Sequence, residues 1–252
     1  MNLELIYNTI IYPWLYLGIF TFFILFFITA PYGRHNKRMG PMMNGKWGWF
    51  IQEIISPLMF GYFFIMGDSI KTPEMWIFFI LWVGHYFNRS IIFPLRQKDA
   101  KDTAVLVVSL AILFNIMNGF INGYYLGSQS FVQDQYSNYF TSMNFILGLI
   151  VFITGAFINI KSDEILFSLR KQKEGYSIPQ NFMYKYISCP NYFGEIIEWL
   201  GFAIMVWSLP AFIFVFWTMF NLIPRAVAHH KWYKNKFLDY PKNRKAIIPF
   251  IF

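Results

Sequence analysis

Cysteine is nearly missing from this sequence: Cys189 stands alone among 252 residues. A single thiol excludes an intrachain disulfide, a Cys-x-x-Cys redox pair and a thiolate metal site. Charge is scarce too. Asp, Glu, Lys and Arg make up 13% of the chain, about half of the ~25% usual in soluble domains. Linkers rich in Gly, Ser or Pro are absent, as is any internal repeat, so a single domain over 1–252 is expected. Neither Gly-x-Gly-x-x-Gly nor a Walker-type loop occurs, which removes a Rossmann turn or P-loop as a phosphate cradle. The four histidines show no His-Glu-x-x-His spacing, and no metal site is expected. His229-His230, as a helix-end pair, suits a phosphate or a carbonyl better than a metal ion.

What fills the space is apolar. Hydrophobic residues reach 56% and aromatics 22%, which reads as a polytopic membrane protein. The net charge of +8 sits in short blocks between apolar runs, so it does not signal nucleic-acid binding. About 20 apolar residues cross the hydrocarbon core. Candidate spans are roughly 7–30, 48–67, 74–95, 103–123 and 140–160, followed by a long run over 192–223. The first is too long for a cleaved signal and no Lys or Arg precedes Arg34, so it reads as a retained span.

The connections alternate in positive charge. Segment 31–46 carries four Lys or Arg, 96–102 three, 161–190 five and 224–252 seven, while 68–75 has only Lys71 and 124–139 has none. By the positive-inside rule the basic segments face the cytoplasm and the N-terminus lies outside. Loop 161–190 and the tail then share a side, so the run 192–223 must cross twice, broken near Ser208-Leu209-Pro210. The expected fold is an all-α integral membrane protein of seven transmembrane helices, N-terminus outside and C-terminus cytoplasmic.

Polar residues interrupt these spans. Asn191, Glu195 and Glu198 stand at i, i+4 and i+7 and share one helical face. Gln52-Glu53 breaks the second span, and His85-Tyr86-Phe87-Asn88-Arg89 the third. Asn159, Asp163, Leu166 and Arg170 form a narrow arc at the end of the fifth, and Arg225, His229 and Tyr233 do so at the start of the tail. The stripe Asn115, Asn118 and Asn122 reads equally as interhelical glue or cavity lining. Gly119, Gly123 and Gly127 read as close-packing positions. Charges at membrane depth are costly and usually face a cavity. Acidic spans with arginines at their cytoplasmic ends suggest a polar cavity open to the cytosol, its basic rim suited to an anionic, phosphate-bearing ligand.

Several of these motifs together resemble the steroid 5α-reductase family, nearest its type 2 branch. They are Tyr32-Gly33-Arg34-His35, Trp49-Phe50-Ile51-Gln52-Glu53 and the His85–Arg89 run. With them go Asn159-Ile-x-Ser162-Asp163, Asn191-x-x-Gly194-Glu195-Ile-Ile-Glu198-Trp199 and the tail Tyr240–Phe252. The likeness covers nearly the whole chain, and the Gln-Glu and His-Tyr pairs point to the steroid branch.

That resemblance implies a seven-helix bundle that uses NADPH to reduce a 3-oxo-Δ4 steroid, hydride going to C5 and a proton to C4. It assigns the catalytic roles to Glu53 and Tyr86 at the 3-keto oxygen, with Trp49, Gln52 and Arg89 on the substrate. It assigns the cofactor to Tyr32, Arg34, Asn159, Asp163, Leu166, Arg170, Tyr176, Asn191, Glu195, Arg225, His229 and Tyr233. About 1–123 would serve mainly the substrate and about 140–252 mainly NADPH. A monomer among membrane lipids is expected, in the endoplasmic reticulum of a eukaryote or the inner membrane of a bacterium. The chain departs from the family at Phe93, where a tyrosine is common, and at Ala100, where an arginine is expected. Lys98 or Lys101 would replace that arginine, though as a point charge and not a bidentate fork. A reductase of another conjugated lipid, such as an enoyl thioester or polyprenol, is the nearest rival. A methyltransferase is disfavoured by Gln52-Glu53 and Tyr86. A transporter would also carry buried charges, but neither an inverted repeat nor paired broken helices are visible.

Overall fold

The computed structural model describes residues 2–97, 100–172 and 175–252. Its elements in order are α1 Leu3–Phe27, β1 Met42–Met43, α2 Gly45–Met66, α3 Pro73–Phe87, α4 Phe93–Arg96 and β2 Thr103–Ala104. There follow α5 Val105–Gly127, α6 Gln129–Val132, α7 Met143–Gln172, α8 Pro190–Val206 and α9 Leu209–Lys236. Among the described residues six helical segments are long and apolar enough to span a bilayer: α1, α2, 73–96, α5, α7 and α9. The protein is mostly helical and fits an all-α membrane protein, with one addition. Two short strands, β1 and β2, pair antiparallel and tie the segments before α2 and α5 together.

Local chemistry explains the helix ends. The Asn44 side chain accepts from the N–H groups of Lys46 and Trp47 and starts α2. Thr72 accepts from the Met75 N–H, with Pro73 following, and starts α3. The run 192–223 divides as expected: α8 stops at Trp207, whose φ of 48° reverses the chain, and Ser208 caps α9 with Pro210 in its first turn. At 17 residues, α8 falls short of the six long segments.

The chain separates into two compact units, Met1–Pro13 with Ala30–Phe145 and Trp14–Thr29 with Ile146–Phe252. In the first, α5 lies against α2 at glycine distance. A Cβ on Gly119, Gly123 or Gly127 would fall on the α2 backbone around Ser56, Phe60 and Phe63. The expected close-packing role of these three glycines holds. In the second unit the same device joins α7 to α8. A Cβ on Gly148, Gly155, Gly194 or Gly201 would strike the facing helix's backbone, in the pairs 148–205, 155–198, 194–159 and 201–152. This antiparallel zipper repeats every seven residues on both helices, so one face of each stays small along two turns. Trp217 in α9 donates its indole N–H to the Trp14 carbonyl, 3.1 Å away, and packs at a tilt against that residue's ring, 4.6 Å between centroids.

Candidate active site

In the first unit the helix pair α2 and α5 positions the carboxyl that the sequence singles out. Gln52 and Glu53 lie mid-α2, both half-buried. The Gln52 amide donates to Glu53 Oε1 at 3.1 Å, and Asn115 Nδ2 of α5 donates to the Gln52 carbonyl at 2.7 Å. Asn115 thus acts as interhelical glue, bonding α5 to α2 one residue from the Glu53 carboxyl. Its amide is satisfied within α2, so the polar group carries no unpaired donor into the apolar layer.

Tyr86 is buried in α3, its ring 5.6 Å from Trp82 and 5.1 Å from His85. Beyond it the helix widens into a π-turn over Asn88–Ile92 before α4 resumes. Such turns mark functional or strained places in helices. Here the turn sets Arg89 between two rings, its guanidinium 5.0 Å from Trp49 and 4.5 Å from Phe93. The Trp49 indole in turn donates to the Arg89 carbonyl at 2.9 Å. Trp49, Arg89 and Phe93 form one braced trio, and since Arg89 meets only an aromatic face of Phe93, the missing tyrosine hydroxyl leaves that contact intact. Ala100 packs beside Gly45, while Lys98 lies outside the described residues and Lys101 is exposed. Tyr32 and Arg34 sit in this unit, at the short turn Gly33–His35.

The second unit gathers the amides and carboxylates. Asn159 Nδ2 donates to the Asn191 carbonyl at 2.9 Å and to Glu195 Oε2 at 3.3 Å. Asn191 Nδ2 donates to Asp163 Oδ1 at 3.0 Å. These four residues come from α7 and the first turns of α8, and the glycine zipper is what lets them meet. Gly194 lies directly over the Asn159 backbone, so a larger residue there would part the four. Glu198, one turn deeper, is buried where Gly155 leaves room.

Arg225, His229 and Tyr233 occupy one buried face of α9. Tyr192 joins them to α8: Arg225 Nε donates to the Tyr192 hydroxyl at 3.1 Å, and that oxygen lies 3.2 Å from His229 Nε2. Sequence reasoning passed over Tyr192, because one residue beyond Asn191 it points about 100° away from the polar stripe on a helix of 3.6 residues per turn. Tyr176 packs edge-on against Trp232 at 4.9 Å, while Leu166 is half-buried and Arg170 exposed farther along α7.

A further polar knot was not expected. Ser188 Oγ lies 2.6 Å from both His230 Nδ1 and the Tyr240 hydroxyl and donates to the Lys245 carbonyl at 3.0 Å. Burial holds the Tyr240 phenol above its ordinary range despite the opposing pull of Ser188 and Arg244, so it stays protonated. The signal available for this knot was the polar spacing of the tail, which gives no partner in α9 by itself.

Comparisons with known proteins agree with the resemblance. Residues 101–252 match the family model described as 3-oxo-5-alpha-steroid 4-dehydrogenase. The chain is 41% identical to the steroid 5-alpha-reductase DET2 of Arabidopsis thaliana over 91% of its length and 90% of the relative's. It is 37% identical to the 3-oxo-5-alpha-steroid 4-dehydrogenase 1 of Rattus norvegicus, covering 89% and 87%. To the 3-oxo-5-alpha-steroid 4-dehydrogenase 2 of Homo sapiens it is 38% identical, over 88% of each chain. These identities lie too close together to place the chain in one branch.

Proposed function

This chain belongs to the 3-oxo-5-alpha-steroid 4-dehydrogenase family, and from that premise we propose that it reduces the Δ4 bond of 3-oxo-Δ4 steroids using NADPH. It is an oxidoreductase acting on CH–CH bonds, built from apolar helices that fit an integral membrane protein. The observation that carries the finer reading is the Glu53 carboxyl, set in an apolar span and held by the Gln52 side-chain amide, with Asn115 bonded to the backbone carbonyl of Gln52.

NADPH, when bound, supplies the hydride that ends on C5 of the enone. C4 then gains a proton, and residues of this chain stabilise the charge that develops in between. As charge moves onto the 3-keto oxygen, the Tyr86 hydroxyl and the neutral acid form of Glu53 donate hydrogen bonds to it, and donors already fixed in place need no reorganisation during the step. Gln52 fixes one oxygen of that carboxyl, while Trp49 and Arg89 brace the wall beside it.

The donor set of the second unit fits a nicotinamide nucleotide. Asn191 and Glu195 offer the mixed amide and carboxylate chemistry that a carboxamide and ribose hydroxyls need. Arg225 and His229, buried, and Arg170, exposed, offer cations and N–H donors for phosphates. Asn159 and Asp163 hold these groups in place, with Leu166, Tyr176 and Tyr233 as apolar and aromatic support. Tyr32 and Arg34 are assigned to the cofactor by family resemblance.

The direct test is purified protein in mild detergent with NADPH and a 3-oxo-Δ4 steroid. The expected product is the 5α-reduced 3-oxo steroid, formed as NADPH is consumed. Reduction of an enoyl thioester or polyprenol, with the steroid untouched, would move the chain to another conjugated lipid.

Cofactor binding yields a second expected result. Arg170→Ala should weaken NADPH by about 10- to 150-fold, since losing a charge-assisted hydrogen bond costs roughly 1.5–3 kcal/mol. Lys71 is the comparison: its ammonium donates to the carbonyls of Gly67 at 2.6 Å and Ser69 at 2.7 Å, so Lys71→Ala should lower thermal stability and leave NADPH affinity unchanged. Equal affinities in a titration of both variants would place the phosphates elsewhere.

The topology proposed is seven crossings, α8 and α9 forming the last pair, with the basic segments and the tail cytoplasmic. The break at Trp207 and the contact of Trp199 with Phe214, 4.5 Å between rings, support a helical hairpin there. Lys71 and Asp134 should lie outside, with Arg96, Lys173 and Lys242 inside; Lys173 itself falls outside the described residues. Single cysteines placed in a Cys189→Ser background check this. A membrane-impermeant reagent added to intact cells should label position 134 and spare 242, and the opposite pattern would overturn seven crossings.

A further inference from the structure

The segment after α9 folds back onto the residues that precede α8. The Lys245 N–H donates to the Tyr186 carbonyl at 2.9 Å, and the N–H of Ser188 donates to the Lys245 carbonyl at 2.8 Å. Ile247, 1% exposed, packs with Cys189 and Ala226. The last residues then close a tight turn: the Phe252 N–H donates to the Ile248 carbonyl at 3.1 Å, and the N–H groups of Ile247 and Ile248 both reach the Phe252 carbonyl. Phe250 takes a positive φ of 65°, a region that bulky side chains rarely adopt.

This braced turn presents its side chains outward. Phe250 is 76% exposed and Ile251 75%, with Phe252 and Tyr186 beside them, the Tyr186 ring 5.2 Å from that of Phe250. Hydrogen bonds and a strained residue hold these side chains in one patch. The chain around the patch is cationic, with exposed Lys236 at the end of α9 and exposed Lys242 in the segment itself, against a single exposed Asp239. α9, at 28 residues, is about 42 Å long by its rise per residue, longer than the ~30 Å hydrocarbon core. Its basic residues, Arg225, Lys231, Lys234 and Lys236, all lie toward its C-terminal end, so the excess length and the segment it leads into belong at the lipid boundary.

We propose that residues 237–252 form an interfacial wedge: Phe250, Ile251 and Tyr186 seat in the bilayer leaflet on the side where α9 ends, and Lys236 and Lys242 contact its anionic phospholipid headgroups. Aromatic and aliphatic side chains flanked by lysine match that boundary, where a ring can lie in the acyl region and an ammonium in the phosphate layer. The wedge fixes the depth of the segment that Ser188, His230 and Tyr240 tie to α8 and α9, so lipid composition becomes a term in the stability of that end of the unit.

The test uses the full chain in lipid nanodiscs, with a nitroxide on Ile251→Cys or on Asn243→Cys, an exposed polar position for comparison. The parent chain, whose Cys189 is 2% exposed, measures background labelling. Accessibility to oxygen relative to a water-soluble nickel chelate should be several-fold higher at 251 than at 243. The ratio should rise when phosphatidylglycerol is mixed into phosphatidylcholine, and Lys236→Glu with Lys242→Glu should abolish that rise. Equal ratios at 251 and 243 would overturn the wedge, as would spin–spin broadening that assigns the patch to a second copy of the chain. A ratio indifferent to phosphatidylglycerol would overturn the headgroup contact.

Discussion

Tyr86→Phe is expected to slow steroid reduction about 100- to 1000-fold, because removing one donor aimed at developing oxyanion charge costs roughly 2.7–4 kcal/mol of barrier. The substitution keeps the ring that packs near Trp82 and His85 and deletes only the hydroxyl. NADPH affinity should therefore stay at its parent value, since the loss falls on the reacting step and not on the ground-state complex. Glu53 gives the companion test. Glu53→Gln retains a donor and the volume of the acid, whereas Glu53→Ala removes both and leaves the Gln52 amide without Glu53 Oε1. Glu53→Gln should accordingly keep more activity than Glu53→Ala. Single-turnover rates with saturating NADPH separate these outcomes, and near-normal turnover by a Tyr86→Phe, Glu53→Ala double variant would refute the assigned chemistry.

Gly155→Leu is expected to disassemble the amide–carboxylate network without touching any of its members. A Cβ at position 155 already falls on the Glu198 backbone, and backbone cannot swing aside as a long side chain can. Overpacking typically costs about 1–3 kcal/mol and occasionally more, and the zipper leaves few alternatives, since Gly148, Gly194 and Gly201 contact backbone as closely. As α7 leaves α8, the hydrogen bonds from Asn159 to Asn191 and Glu195 and from Asn191 to Asp163 should break together, so NADPH binding should collapse along with thermal stability. Gly84→Ala is the control: no atom lies within 4 Å of its Cβ position in α3, and alanine favours a helix by about 1 kcal/mol over glycine. That variant should be as stable as the parent or more so. Full NADPH affinity in Gly155→Leu would show that the network does not depend on the zipper.

The sequence alone determined the membrane class, the approximate spans, the break in the run 192–223 and the membership of the polar stripes. Each of these is a local or periodic signal: apolar length counts residues along one helix, and i, i+4 spacing places Asn191 with Glu195 or Asn159 with Asp163 on a shared face. Helical periodicity says which residues of one helix point together, but not which other helix they meet. It takes the packed helices to show that α7 faces α8 through Gly148, Gly155, Gly194 and Gly201, bringing Asn159 to Asn191 across thirty-two positions of sequence. The same holds for Asn115, whose stripe suits glue or lining until its amide is seen on the Gln52 carbonyl. Tyr192 escaped because it lies off the stripe on its own helix and gains meaning only from Arg225 and His229 of α9. The turn at Phe250 is carried by a segment whose Lys245 and Ala246 pair with residues 186–189, about sixty positions earlier, and pairing of that kind leaves no period in the chain.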